Sequence, residues 1–297
     1  MKRILFIINP NSVKKNTSRI SKAIESGINH KEFDVKVEYT KSANHAVSLS
    51  KIAVADGVEI VVAVGGDGTV NEVASQMINS NSTLGIVPLG SGNGLARHLG
   101  ISRNIEKAIN LINLQNTSVI DTGSINDKVF VSIAGVGFDA LIAEKFAQGN
   151  QRGFIGYFKQ VASEYLKYKP MEYKLIFNDG HVIEKKALFV AFANSTQFGY
   201  NTTIAPNAKI QDGLIDVCII EKPKLYKIPH IANLLLLKRV DKSPLVQIIK
   251  TKGLKIHRAD EGNVNIDGEA VNFGKELDVR INPLSLKIII DQNVSKV

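Results

Sequence analysis

The run Glu59-Ile60-Val61-Val62-Ala63-Val64 ends in Gly65-Gly66-Asp67-Gly68-Thr69. Apolar residues then recur at Val70, Val73, Ala74, Met77 and Ile78, the spacing of one helix face. An apolar strand that turns through glycines straight into a helix strongly restricts the fold. It also makes an anion site, because a helix start offers unbonded N–H groups and glycines admit a phosphate to the backbone. Asp67 would repel a bare phosphate, so a divalent cation is expected between the two. The alternative is a tight strand-to-helix turn capped by Thr69, but capping alone does not need three glycines around an aspartate. The chain holds no G-x-x-x-x-G-K-[ST] loop, and no G-x-G-x-x-G stands at this strand end.

The same alternation runs through the first part of the chain. Strands are predicted at 3–8, 35–40, 59–64, 84–88 and 117–121, and helices at 17–27, 43–55, 70–79, 92–99 and 104–115. Ser42 and Asn104 are the expected N-caps. Alternating strands and helices imply a parallel sheet covered on both faces, with ligands beyond the carboxyl ends of its strands. Past residue 126 the pattern changes. A strand at 128–134 and helices at 138–147 and 154–168 precede strand-like runs at 171–178, 182–193, 213–220, 253–258, 263–273, 276–281 and 285–290. Asn178-Asp179-Gly180 signals a hairpin. The expected division is an α/β domain over 1–126 and a β-rich sandwich over 127–297.

A single cysteine, Cys218, rules out an intrachain disulfide, and the six histidines have no metal-ligand spacing. The longest apolar run, Ile231 to Leu237, is too short to span a bilayer. Ile4 to Ile8 ends at Asn9-Pro10 without a small-residue cleavage site and reads as a buried strand, not a leader. These features fit a cytoplasmic protein. The net charge of +9 suits an anionic metabolite or membrane, and no nucleic-acid module is visible. Cations gather in Lys222 to Arg258 beside Leu234-Leu235-Leu236-Leu237, and residues 152–168 mix aromatics with lysine. Either segment is a candidate membrane surface or an ordinary packed helix.

Gly65 to Glu72, GGDGTVNE, resembles the nucleotide loop of the diacylglycerol kinase catalytic family. Asn9-Pro10-Asn11-Ser12, Pro88-Leu89-Gly90-Ser91-Gly92-Asn93 and Asp267-Gly268-Glu269 are similar to further family segments, in the family's order. NAD kinases and phosphofructokinases share the GGDG(T/S) core but are not expected to carry GSGN. The resemblance implies the α/β fold with a parallel sheet, joined to a C-terminal β-rich sandwich. It further implies an ATP- and Mg2+-dependent lipid kinase of phospholipid metabolism, working peripherally at the inner face of the membrane, with homodimerisation an open expectation.

The resemblance assigns nucleotide binding to Asn9, Pro10, Asn11, Ser12, Thr40, Gly65, Gly66, Asp67, Gly68, Thr69, Val70, Asn71 and Ser91. Read locally, Asn9 and Ser12 make an Asx turn after a strand. Asp67 is assigned to organise the catalytic metal, with Asp121 in the same network; by itself Asp121 reads as a turn aspartate. Asp267-Gly268 reads locally as a hairpin turn, while the resemblance makes Glu269 the general base and Asp267 its metal partner or the alternative base. Lys209, Asp212 and Leu214 resemble a structural magnesium loop, or else a Gln-Asp-Gly turn before a strand.

Two departures bear on the acceptor. Gly94 stands where many diacylglycerol kinases have aspartate, so GSGN looks closer to the sphingosine-kinase pattern. Asn93 and Asp139 are the expected substrate contacts, Asp139 being also an expected helix N-cap. Val13 replaces the glycine that usually follows Ser12. Diacylglycerol or a related lipid is the expected acceptor, with a sphingoid base or a soluble acceptor such as NAD as alternatives.

Overall fold

The computed structural model describes residues 1–13, 17–148, 154–199 and 202–291. Its internal contacts divide the chain into two units, Met1–Asp121 with the segment from Leu284 onward, and Thr122–Pro283.

In the first unit the strands Phe33–Tyr39, Lys2–Ile8, Ile60–Gly65 and Thr83–Pro88 lie side by side in that order, all parallel. Residues near the C-terminus join this sheet, Ile288 pairing with Leu84 in parallel. Ile60–Gly65 and Thr83–Pro88 are buried along their whole length, as expected of a sheet covered on both faces. The edge strand Phe33–Tyr39 instead alternates, turning Asp34, Lys36 and Glu38 outward. The covering helices include Thr17–Gly27, His45–Ala55, Asp67–Ser75 and Ile105–Leu114. Asn104 is an N-cap as expected, its Oδ1 accepting the Lys107 amide at 2.9 Å. Ser42 is not. That helix begins at His45, after Asn44 in the left-handed region at φ 60°. The Glu72 carboxylate, brought from the neighbouring helix, accepts the amides of Asn44 and Ala46 at 3.2 and 3.1 Å. A one-turn helix, Pro10–Val13, follows the first strand where only a turn was expected.

In the second unit, Val246–Thr251, Ile215–Ile220, Phe189–Ala193, Ile133–Gly137, Gly262–Ile266 and Glu269–Phe273 form an antiparallel sheet in that order. Gly253–Arg258 pairs antiparallel with Met171–Phe177 and with residues 276–280, and Met171–Phe177 pairs with Val182–Ala187. One apolar core joins the two layers: Phe177, Leu254, Ile256 and Val279 with Phe192, Val217 and Val264. This is the expected sandwich. The Asn178-Asp179-Gly180 hairpin also forms, with Gly180 at φ 86° and its amide bonded to the Phe177 carbonyl at 2.9 Å.

Two expected strands are each something else. The run 182–193 breaks at Leu188, and its halves belong to different sheets. The run 263–273 is two strands folded at Asp267-Gly268. The runs 276–281 and 285–290 are instead one strand, Glu276–Ile289. Within this strand, at Leu284, the contacts return the chain to the first unit. Among the described residues no helix is long and apolar enough to cross a membrane.

Candidate nucleotide and acceptor sites

In the first unit two glycine-rich loops close on each other. The first follows Ile60–Gly65, the second follows Thr83–Pro88, and parallel register puts Gly65 beside Pro88. A Cβ on Gly90 would come within 2.6 Å of the Gly66 Cα, and one on Gly92 within 2.6 Å of Asp67 Oδ2. These glycines are therefore demanded by loop-to-loop packing, a role beyond the phosphate approach that the sequence suggests. Asp67 ties the loops together. Its Oδ2 accepts the Asn93 amide at 2.7 Å and its Oδ1 the Gly94 amide at 2.6 Å. Burial pushes the Asp67 pKa up, and the bonds from Gly94 and Asn93 oppose that only in part.

The expected substrate contact Asn93 is enclosed, at φ 54°, with its side chain closing its own turn. Its Oδ1 accepts the Gly90 amide at 2.9 Å and its Nδ2 donates to the Gly90 carbonyl at 2.6 Å. Such a side chain orders the loop. Ser91, between the two glycines, is exposed.

Asn9 reaches the first loop directly. Its Nδ2 donates to Thr69 Oγ1 at 3.1 Å, and its Oδ1 accepts the Asn11 amide at 3.0 Å. The Asx turn and the loop contact thus coexist in one side chain. Ser12 sits in the helical turn, its amide bonded to the Asn9 carbonyl at 3.1 Å. Thr40 is buried just past the edge strand, its amide donating to the Ile8 carbonyl at 2.9 Å. Asp67–Ser75 starts behind Gly66, which has no side chain to cap it, so no side-chain acceptor of that residue competes for the first-turn amides. Asp121 is fully buried and its Oδ1 accepts the Leu284 amide at 2.7 Å.

In the second unit the expected hairpin and the expected acid site are the same object. Asp267 stands at φ 48° and Gly268 at φ 94°, turning Gly262–Ile266 into Glu269–Phe273. The Asp267 carboxylate is locked by three amides, Val131 at 2.7 Å and Ser132 and Ile133 both at 2.9 Å. These bonds hold the Asp267 carboxylate in place within the turn. Glu269, two residues on, is exposed.

What holds this hairpin was not foreseen from the sequence. Arg258 is buried, and its guanidinium donates to the carbonyls of Gly262, Asn263, Phe273 and Gly274 at 2.7 to 3.3 Å. An arginine inside a strand pattern was the only available signal. Asp139, expected to meet a lipid headgroup, is enclosed and accepts Asn265 Nδ2 at 2.7 Å. Burial pushes its carboxyl up to about 6, the Asn265 bond opposing the shift. It lies within the first turn of Phe138–Gln148.

Asp212 lies in a turn with Gly213 at φ 68°. Its Oδ1 accepts the Leu214 amide at 3.1 Å, and its Oδ2 faces the Lys250 ammonium at 2.9 Å.

Two family models match the chain. The family model described as the diacylglycerol kinase catalytic domain matches residues 3–125. The model described as the YegS C-terminal NAD kinase beta sandwich-like domain matches residues 132–290. The chain belongs to the diacylglycerol kinase-like family, a membership that implies a lipid kinase. It is 26% identical over 282 residues to a diacylglycerol kinase of Bacillus subtilis (strain 168), covering 91% of this chain and 90% of that protein. Over 294 residues it is 26% identical to a diacylglycerol kinase of Staphylococcus carnosus (strain TM300), covering 96% and 93%. A solved diacylglycerol kinase structure from Bacillus anthracis str. Sterne shares the fold, with a TM-score of 0.80 at 24% identity over 99% of this chain and 98% of that one.

Proposed function

We propose that the chain transfers the γ-phosphate of ATP to a hydroxyl of diacylglycerol or a closely related lipid. The observation that carries this is the paired glycine loop locked by Asp67 in a chain matched from residue 3 to 290 by the two kinase-family domains. The Asp67–Ser75 helix start and the Asn9–Ser12 turn receive the phosphates, and Thr40 lies on the adenine side. Asp67 and Asp121 carry the hard oxygen donors that a magnesium ion takes, and these two carboxylates would hold it. When bound, that ion neutralises charge on the transferring phosphoryl group. Glu269 takes the proton of the acceptor hydroxyl, and Asp267 holds the turn that presents it.

The enclosure of Asp139 weighs against a sphingoid amine as acceptor. Transfer of labelled γ-phosphate to lipids in mixed micelles tests the assignment. Label is expected on diacylglycerol; label on a sphingoid base alone, or on NAD alone, overturns it.

Such an enzyme must meet its acceptor at a bilayer, and exposed apolar side chains beside cations support one of the two segments as the contact. Leu225, Tyr226, Leu236 and Leu237 are 58 to 73% exposed, and no residue of Leu225–Lys227 or Ile228–Leu236 is buried. Lys224, Lys227, Lys238 and Arg239 are exposed beside them. The rival segment 152–168 begins outside the described residues. The surface around Leu225–Arg239 is assigned to an anionic membrane. Leu236→Asp with Leu237→Asp is expected to abolish co-sedimentation with vesicles rich in phosphatidylglycerol. Undiminished binding removes this surface from the assignment.

A further inference from the structure

The strands Ile215–Ile220 and Val246–Thr251 pair antiparallel, and their register sets Asp216 directly opposite Lys250. Directly opposed residues share a face of the sheet, so backbone pairing alone delivers the Lys250 side chain to Asp216. The ammonium lies 2.8 Å from Asp216 Oδ2 and 2.9 Å from Asp212 Oδ2. Asp212 belongs to the turn just before the strand, and its other oxygen accepts the Leu214 amide. Both Asp212 oxygens therefore have partners within the chain. The Asp216 side chain is only 3% exposed, so this is not a loose surface pair.

This is the turn that the family resemblance assigns to a structural magnesium ion. Magnesium binds carboxylate oxygen at about 2.1 Å in a near-ideal octahedron. An ion on Asp212 Oδ2 would share that oxygen with the ammonium and place two cations almost in contact. The donors present thus do not suit a divalent metal while Lys250 stays where register puts it.

We propose that Lys250 is the resident cation of the Lys209–Leu214 turn, and that removing its ammonium opens the turn to a divalent metal. The charge that a diffusible ion would bring is carried on the neighbouring strand, so the turn is ordered without metal in solution. This holds whether or not the lipid kinase reading is right.

Thermal unfolding of the full chain without nucleotide tests this, with EDTA or magnesium chloride present. The wild-type midpoint is expected to be the same in both. Lys250→Met is expected to unfold several degrees lower in EDTA and to recover part of the loss in magnesium. Adding Asp212→Asn to that variant should cancel the recovery. A wild-type midpoint raised by magnesium and no longer raised in Asp212→Asn overturns the proposal, as does a folded Lys250→Met with no magnesium response. Should Lys250→Met fail to fold, calorimetric titration of wild type and Asp212→Asn with manganese decides. Equal heats support the tethered cation, and heat lost with Asp212 refutes it.

Discussion

Asp67 of the first unit and Asp267 of the other share two features: each is an acid beside a glycine, and each binds main-chain amides. They differ in what they leave over. Asp67 joins two loops and stands among glycines, with no second acid next to it in its loop. Asp267 fixes the backbone at Val131 to Ile133, and the turn beside it delivers an exposed Glu269. The first unit thus offers amides and a helix start to an anion. The second offers an exposed carboxylate at Glu269. An acid in a motif is not thereby the reacting acid, and its hydrogen bonds separate the two roles.

Glu269→Gln breaks the comparison most sharply. Lipid phosphorylation should fall about a thousandfold, the range for losing a general base, while the unfolding midpoint holds. A fully active, folded Glu269→Gln would return the base role to another group. Asp267→Asn should do the opposite in kind. It sets an NH2 group against one of three amides and should lower stability by about 2–3 kcal/mol, read by urea unfolding of the second unit. Loss of turnover with stability intact would mean that Asp267 reacts and does not merely hold.

Gly90→Ala tests the first half of the comparison. The added methyl meets the Gly66 Cα at 2.6 Å, a backbone atom that cannot step aside. A loss of about 1–3 kcal/mol is expected, with weakened nucleotide binding measured by titration with a fluorescent ATP analogue. Unchanged affinity and stability would show that the two loops do not depend on this contact.

The alternation of strands and helices, the sandwich and the Asp-Gly hairpin were legible because each has a local signature: burial period, glycine turn, apolar alternation. The turn acids were legible as candidates for the same reason. What stayed hidden depends on pairs distant in sequence. Nothing local marks Glu72 as the cap of the helix beginning at His45, or Arg258 as the clamp of the Gly262–Phe273 hairpin. Lys250 is one lysine in a basic stretch until register sets it across from Asp216. The Ser42 cap failed because a carboxylate from another helix supplied the acceptor. Asn93 and Asp139 were offered to a substrate by the family resemblance, which carries no information on burial; here both are enclosed.

Asp139 yields the smallest effect and a clean sign. Burial lifts its carboxyl from 3.8 to about 6, against the Asn265 bond. Between those values the folded chain keeps a proton that the unfolded chain has lost, so stability is fully present below the lower value. It then falls as pH rises through the window and levels off above. Asp139→Asn stays neutral throughout and still accepts from Asn265, so its stability curve should be flatter from about pH 4 to 6. At neutral pH the variant should be more stable by about 1 kcal/mol, less than full linkage because a buried carboxylate relaxes toward any available dipole. Phosphorylation of diacylglycerol should be unchanged. A lost preference among lipid acceptors, with the pH slope retained, would instead place this carboxylate at the substrate and reopen the sphingoid reading.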